Sequence, residues 1–329
     1  MLFDQEASSS PDLKISAVRV GINDVERYSA WLEAGYHGTM SYLSRNERIL
    51  KINDPSLTME GAKSIVIFML NYRRMKVSKE GYGRVASYAG ILDYHYFFPK
   101  IIDDFMVRNG LFVRTFKTYV DTGPLNERDL SRRSSLGWIG RNSMLINPVL
   151  GSFTFLGASV TDLAIDIPSF PPSDLCGTCN RCITSCPTGA INSDRTVDSN
   201  LCISYQTIEN RGAIPRKVSD RMEDMIFGCD ICNDVCHWNR EKRESSIPEA
   251  TEDRYSARMK LEDMAFMDTD TFNRNYGKSP MKRATHAGLA RNAIVALFNS
   301  GREDVIAEVS KQFDDVRKKQ ADLLLRTKK

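Results

Sequence analysis

No cysteine occurs before residue 176 and none after 236, so all eight lie inside one short window. A disulfide framework would spread its cysteines and would need an oxidising compartment, which this clustering argues against; ligand chemistry remains. No run approaches the roughly 20 apolar residues that a membrane helix requires. The start, Met1-Leu2-Phe3-Asp4-Gln5-Glu6, lacks the basic and apolar stretches of an export signal, and a cytoplasmic location is expected. Charge of one sign is also scarce: a formal +3 neither demands nor forbids a nucleic-acid partner. With 42% hydrophobic and 26% charged residues, disorder and fibrous repeats are excluded. The length of 329 residues leaves room for two or three domains.

Ala62 to Leu70 is a short apolar, β-branched run bounded by polar sequence, which predicts a buried strand. Val25 to Leu32 and Met40 to Leu50 have helical spacing, and Tyr94 to Val107 predicts a helix that continues past Pro99. Strands are expected again over Phe112 to Val120 and Ser152 to Val160. The proline-rich stretch Ile167 to Ser173 then marks a boundary. The fold class is α+β, with a mixed α/β domain over 1–172, a cysteine domain over 173–245 and a helical region over 246–329. In that last region, Ala290 to Phe298 and the positions Val305, Ile306, Val309, Phe313 and Val316 predict one antiparallel helix pair around Asn299-Ser300-Gly301.

The spacing Cys176-x2-Cys179-x2-Cys182-x3-Cys186-Pro187 is that of bacterial ferredoxins, where three cysteines hold one cubane and the fourth serves its neighbour. Cys202, Cys229, Cys232 and Cys236 bring the total to the eight that two 4Fe-4S clusters need. By the exchange rule, cluster one takes Cys176, Cys179, Cys182 and Cys236, and cluster two takes Cys186, Cys202, Cys229 and Cys232. The competing reading is a pair of structural zinc sites, which also use C-x2-C hooks. His237, in place of proline, follows Cys236.

Two clusters form a one-electron wire, which requires an acceptor in the first domain. Gly81-x-Gly83-x-x-Ala86 superficially matches a dinucleotide fingerprint, but it follows the polar run Lys76-Val77-Ser78-Lys79-Glu80 and no strand. Asp93-Tyr94-His95 begins the pattern of a corrinoid-ligating histidine, but Phe98 stands where glycine is needed, so a cobalamin here would lack an axial histidine.

Further motifs carry a resemblance. Gly35-Tyr36-His37-Gly38, Asp54-Pro55, Ala62 to Val66, Tyr88-Ala89 with Asp93-Tyr94-His95, Val120-Asp121-Thr122-Gly123-Pro124, Leu136 to Asn142, Cys202-Ile203-Ser204-Tyr205 and Gly228 to Cys232 occur in this order. Together with the ferredoxin-like cysteines, this set resembles the epoxyqueuosine reductases from about residue 15 to 298. The resemblance implies an oxidoreductase that reduces the epoxide of epoxyqueuosine, at the wobble position of a tRNA anticodon, to the alkene of queuosine. It also implies a nitroreductase-like domain holding base-off cobalamin, a ferredoxin-like two-cluster domain and a C-terminal HEAT-like helical repeat, here shortened. An external one-electron donor such as a flavodoxin or ferredoxin is implied, and a monomer is expected.

Asp121 matches the family's proton donor. A free aspartate ionises near ~3.9, so acid work near neutrality costs roughly 4 kcal/mol of burial, and Asp121 is expected to be desolvated. The competing role is a turn cap before Gly123-Pro124. Arg128 is a candidate for a cobalamin side chain or a phosphate, against a surface ion pair in Glu127-Arg128-Asp129. Ser204 and Gln206 are candidate corrin contacts, and Tyr88, Trp138 and Tyr205 are stacking candidates or core. For tRNA the candidates are Lys278, Lys282, Arg283, Arg291, Lys318, Lys319, Arg326, Lys328 and Lys329, against solvated helix faces. Two other functions fit the cysteines: a corrinoid reductive dehalogenase, and an electron-transfer module without a catalytic centre.

Overall fold

The computed structural model describes residues 10–76, 78–110, 115–165 and 173–326. The expected boundary at residues 167–172, the beginning of the strand expected from Phe112, and Lys328 and Lys329 therefore lie outside the described residues. Eight strands occur among the described residues: β1 (Leu13–Arg19), β2 (Ser64–Asn71), β3 (Arg84–Val85), β4 (Phe116–Tyr119), β5 (Trp138–Ile139), β6 (Leu145–Ile146), β7 (Thr154–Thr161) and β8 (Met225–Phe227).

The main sheet is antiparallel throughout, in the order β1-β2-β7-β4. Every residue of β2 is buried because both faces of the sheet are covered, which is why its sequence is a continuous apolar run. Successive side chains alternate between the faces. Val66, Phe68 and Leu70 join a core with Ile102, Phe105 and Met106 of the helix Phe98–Arg108, which begins with Pro99 in its first turn. Ile65, Ile67 and Met69 pack on the other side with Leu125 and with Leu130 of the helix Glu127–Arg133.

Several expectations change. Met40 to Leu50 is broken into a 3-10 turn, Ser41–Ser44, and a helix, Asn46–Asn53, because Arg45 between them is extended. The glycine pattern at 81–86 leads into β3, which pairs in parallel with β8 and is followed by a 3-10 turn, so no helix start is offered to a phosphate. At the C-terminus the expected pair is three helices, His286–Asn299, Glu303–Gln312 and Val316–Arg326, since Phe313 turns extended and ends the second. One apolar core runs from Ile203 through Phe227 to Leu324, crossing position 245 without a break.

Candidate functional site

Cys176, Cys179, Cys182 and Cys236 line one open hollow with Arg141, Arg181, His237 and Trp238. The other four thiols gather more deeply. Cys186 acts electrostatically on Cys202 and Cys229, and Cys202 and Cys229 act on Cys232. The two sets meet where the charge of Cys182 reaches Cys232. These are the two groups that the ferredoxin exchange rule specifies.

Burial pushes Cys229 up to about 12 and Cys232 well above its usual value, so free thiols would stay protonated here and need a positive partner to ionise. Backbone N–H groups oppose burial: those of Ser204 and Tyr205 at Cys202, of Ile231 at Cys229 and of Trp238 at Cys236. They come from short helical turns that start one or two residues after each cysteine. The indole N–H of Trp138 donates to Cys176 Sγ at 3.5 Å, and Ala190 N–H donates to Cys186 Sγ at 3.3 Å. Among the described residues no three His, Cys, Asp or Glu side chains stand close enough to hold one metal ion. Four thiols around one hollow, several of them met by N–H donors, suit a cluster with one thiolate per corner.

Two features lock this region to the sheet domain. Asn233, between Cys232 and Cys236, takes N–H from Asn142 at 3.2 Å and the hydroxyl of Ser152 at 2.9 Å, while Asn239 donates to Ser152 Oγ and to the Asn233 carbonyl. Gly228, directly before Cys229, sits at φ +70, where a Cβ would come 2.6 Å from Ala86 Cβ.

A second polar site lies on the sheet side. β4 ends at Tyr119, the chain turns through buried Val120, and Asp121 adopts φ 60 before Asn126 caps the helix Glu127–Arg133. That conformation is uncommon for non-glycine residues, with Asp and Asn the usual exceptions. It presents the exposed Asp121 carboxylate to Tyr94, whose hydroxyl donates to Oδ2 at 3.0 Å. Burial, and then the charge of Asp121, raises Tyr94 far above its ordinary range, so it keeps its proton. Tyr94 stacks between His95 and Phe155 at 4.2 and 4.3 Å. The charge of Asp121 is also felt by Tyr42, Tyr88, Glu127 and Arg128. Arg128 is exposed and donates to the Ser143 carbonyl at 2.6 Å. Arg48 Nε, His95 Nε2 and Glu127 Oε1 are buried without a hydrogen-bond partner in the protein, an arrangement that fits a polar group supplied from outside the chain.

Asp121 is not desolvated by the protein, contrary to expectation; the exposed turn after β4 holds it at the surface. Glu127, noticed in the sequence only as part of a charged stretch, is the carboxyl that burial raises, to about 7. Arg128 forms no ion pair with Asp129, which pairs with Arg132 at 2.7 Å. Ser204 is half-buried next to Cys202. Gln206 is buried, donating to the Asn200 carbonyl and accepting from Asn210, so its amide is engaged at both ends. Tyr205 is a structural clamp, its hydroxyl meeting Thr39 N–H at 2.7 Å over Gly38. Among the cationic candidates, Arg291 is fully buried, and Lys282, Arg283 and Lys318 pair with Asp93, Glu209 and Asp322. Lys278, Lys319 and Arg326 are exposed.

Comparison with known proteins places these two sites in a family. Residues 175–239 match a family model described as "4Fe-4S double cluster binding domain". Residues 53–122, ending one position past Asp121, match "Epoxyqueuosine reductase QueG, DUF1730". The epoxyqueuosine reductase of Cyclobacterium marinum is 38% identical over 272 residues, covering 80% of this chain and 84% of that protein. That of Escherichia coli K12 is 32% identical over 319 residues, covering 89% and 80%. Among solved structures, the epoxyqueuosine reductase of Bacillus subtilis superposes with a TM-score of 0.86 at 25% identity, over 98% of this chain and 88% of that one. By its cysteine sites, its fold and its sequence, the chain belongs to the epoxyqueuosine reductase family.

Proposed function

We propose that this protein reduces the epoxide of epoxyqueuosine in a tRNA anticodon to the alkene of queuosine, releasing water, in the cytoplasm. The observation that carries the reading is that eight cysteines gather in two groups of four while, in the sheet domain, Asp121 accepts from Tyr94 and its charge acts on Glu127 and Arg128. Bound cobalamin would supply the reducing power for breaking the C–O bonds, and the eight cysteines would hold the two 4Fe-4S clusters that feed it single electrons.

The chain's own residues do the rest. Residues 1–172, read as a nitroreductase-like domain, hold the corrinoid and the modified base, with Arg128 and Ser204 as contacts. Residues 173–245 hold the clusters in a ferredoxin-like unit, and the helices of 246–329, read as a shortened HEAT-like repeat, add Lys278, Lys319 and Arg326 for phosphates. Asp121 gives its proton to the departing oxygen. Asp121 is exposed, so a bound corrin and base would complete its burial, while the Tyr94 hydroxyl fixes the carboxyl. Electrons come from a small donor protein of the flavodoxin or ferredoxin class, and the protein works as a monomer.

The test is anaerobic incubation of the reconstituted protein with cobalamin, a low-potential reductant and an anticodon stem-loop carrying epoxyqueuosine, followed by nucleoside analysis. Queuosine is the expected product. Protein that carries both clusters but binds no cobalamin would instead be an electron-transfer module.

A further inference from the structure

Removing an epoxide oxygen as water consumes two electrons and two protons, and Asp121 holds one proton at a time. The structure offers a second acid beside it. Glu127 opens the helix Glu127–Arg133, six residues beyond Asp121, and its Oε1 is buried without a hydrogen-bond partner. A carboxylate at a helix start is ordinarily ionised, because the helix dipole and free N–H groups favour the anion. Here those forces are present and lose. Burial, joined by the charge of Asp121, raises Glu127 to about 7, against its own backbone N–H and the guanidinium groups of Arg48 and Arg128, which pull it down. Arg48 comes from the helix Asn46–Asn53, Arg128 from the helix of Glu127 itself, and Asp121 from the turn after β4, so these are the charged groups that face Glu127. Below about pH 7 the site therefore holds a protonated carboxyl whose buried oxygen has no hydrogen-bond partner in the protein and whose proton is favoured by the charge of Asp121.

We propose that Glu127 is the proton reservoir of the reaction, reloading Asp121 between the two protonations that turn the epoxide oxygen into water. This rests on the epoxide-reduction reading above. In the first protonation Asp121 gives its proton to the oxygen as the first C–O bond breaks. Glu127 then passes its proton to Asp121, which delivers it as the second C–O bond breaks and water leaves. Solvent returns two protons per turnover, one to Asp121 and one to Glu127, and the two electrons arrive through the clusters. Glu127 acts through Asp121 and so is a positioning and relay residue, not one that touches the epoxide.

The experiment compares wild type, E127Q and E127D in multiple turnover on the epoxyqueuosine stem-loop, with reductant in excess, from about pH 5.5 to about 8.5. Wild-type kcat is expected to fall as pH climbs through about 7, where Glu127 loses its proton. E127Q is expected to lose that limb and at least about tenfold in kcat at the acid end, with KM unchanged. E127D is expected to restore a pH limb. A structural role alone would not move the pH limb, and equal iron content in the three proteins shows that they are folded. Turnover by E127Q that keeps both the wild-type rate and the wild-type limb overturns the relay. An infrared titration of the protein without substrate separates this failure from failure of the functional reading. A protonated-carboxyl band that disappears near pH 7 in wild type and is missing in E127Q supports the reservoir whatever the substrate. Its absence from wild type overturns it.

Discussion

Tyr94 donates its hydroxyl to Asp121 Oδ2 at 3.0 Å, across a turn in which Asp121 holds a left-handed backbone. Tyr94 is itself fixed between His95 and Phe155, so the hydrogen bond transmits the rigidity of the aromatic core to an exposed carboxyl. Replacing Asp121 by Asn removes the transferable proton and should lower kcat by about 10²- to 10⁴-fold, with the cluster absorption unchanged. Tyr94→Phe keeps the ring stack but frees the carboxyl. Small misplacements of a reacting group are costly, and a loss of about tenfold in kcat is expected with iron content intact. Wild-type turnover by Tyr94→Phe would mean that this hydrogen bond positions nothing.

Gly228 tests the assignment of cluster two. Any side chain there meets a left-handed φ of +70 and the methyl of Ala86 at 2.6 Å. The backbone term alone costs roughly 1–2 kcal/mol, and relief of the clash must move Cys229, the next residue. Gly228→Ala should therefore lose about four of about eight irons per chain while Cys176, Cys179, Cys182 and Cys236 keep theirs. Iron analysis and electron paramagnetic resonance of the reduced protein read this directly. A full complement of iron would show that Cys229 is not held by this turn.

Arg291 changes character between sequence and structure. Its guanidinium is fully buried and donates to the carbonyls of Gln206, Asn210 and Gly212, pinning the end of the helix that begins beside Cys202. Arg291→Met would leave those carbonyls bare, at a cost of about 1–3 kcal/mol for each one left unsatisfied. The expected signature is a lowered melting temperature with the salt dependence of stem-loop binding unchanged. Replacing exposed Lys278 or Lys319, by contrast, should reduce the salt slope by about 0.7 each with little effect on melting. A shallower salt slope in Arg291→Met would return this arginine to the phosphates.

How far the sequence discloses the molecule depends on whether a residue's partners are near it in the chain. β2 is legible because burial on both faces leaves a continuous apolar run, and the cysteine ligands are legible because their spacing is the geometry of a cluster loop. β1 escapes notice: Leu13–Arg19 alternates weakly at the edge of the sheet, and its register is set by β2, 45 or more positions away. The end of the helix Glu303–Gln312 is hidden because Val305, Val309 and Phe313 continue an apolar spacing through the break. Arg291 reads as a surface cation because nothing local shows three carbonyls converging from residues 206–212. Asp121 and Glu127 exchange their expected environments for the same reason. Which of two nearby carboxyls is withdrawn from water depends on the turn conformation and on Arg48, which reaches the site from another helix.

The burial of Glu127 also has a thermodynamic consequence, independent of turnover. Its carboxyl is raised from 4.5 to about 7, so the folded state holds this proton more tightly than the unfolded chain does. The associated stability is fully present below about pH 4.5. It is lost progressively as pH rises to about 7 and stays lost above, because the unfolded chain has already released the proton while the folded state must still give it up. Glutamine cannot ionise, so E127Q lacks this component. Measured as a difference between wild type and E127Q, in which other titrating groups largely cancel, wild-type stability should decline relative to the variant between about pH 5 and about pH 8. The decline should not exceed about 3 kcal/mol, since Glu127 is only partly withdrawn from water. Anaerobic denaturant midpoints at the two pH values measure it. A difference that does not change with pH, or one that changes in the opposite sense, would mean that Glu127 is ionised in the folded protein and that its unpartnered oxygen faces solvent and not a proton.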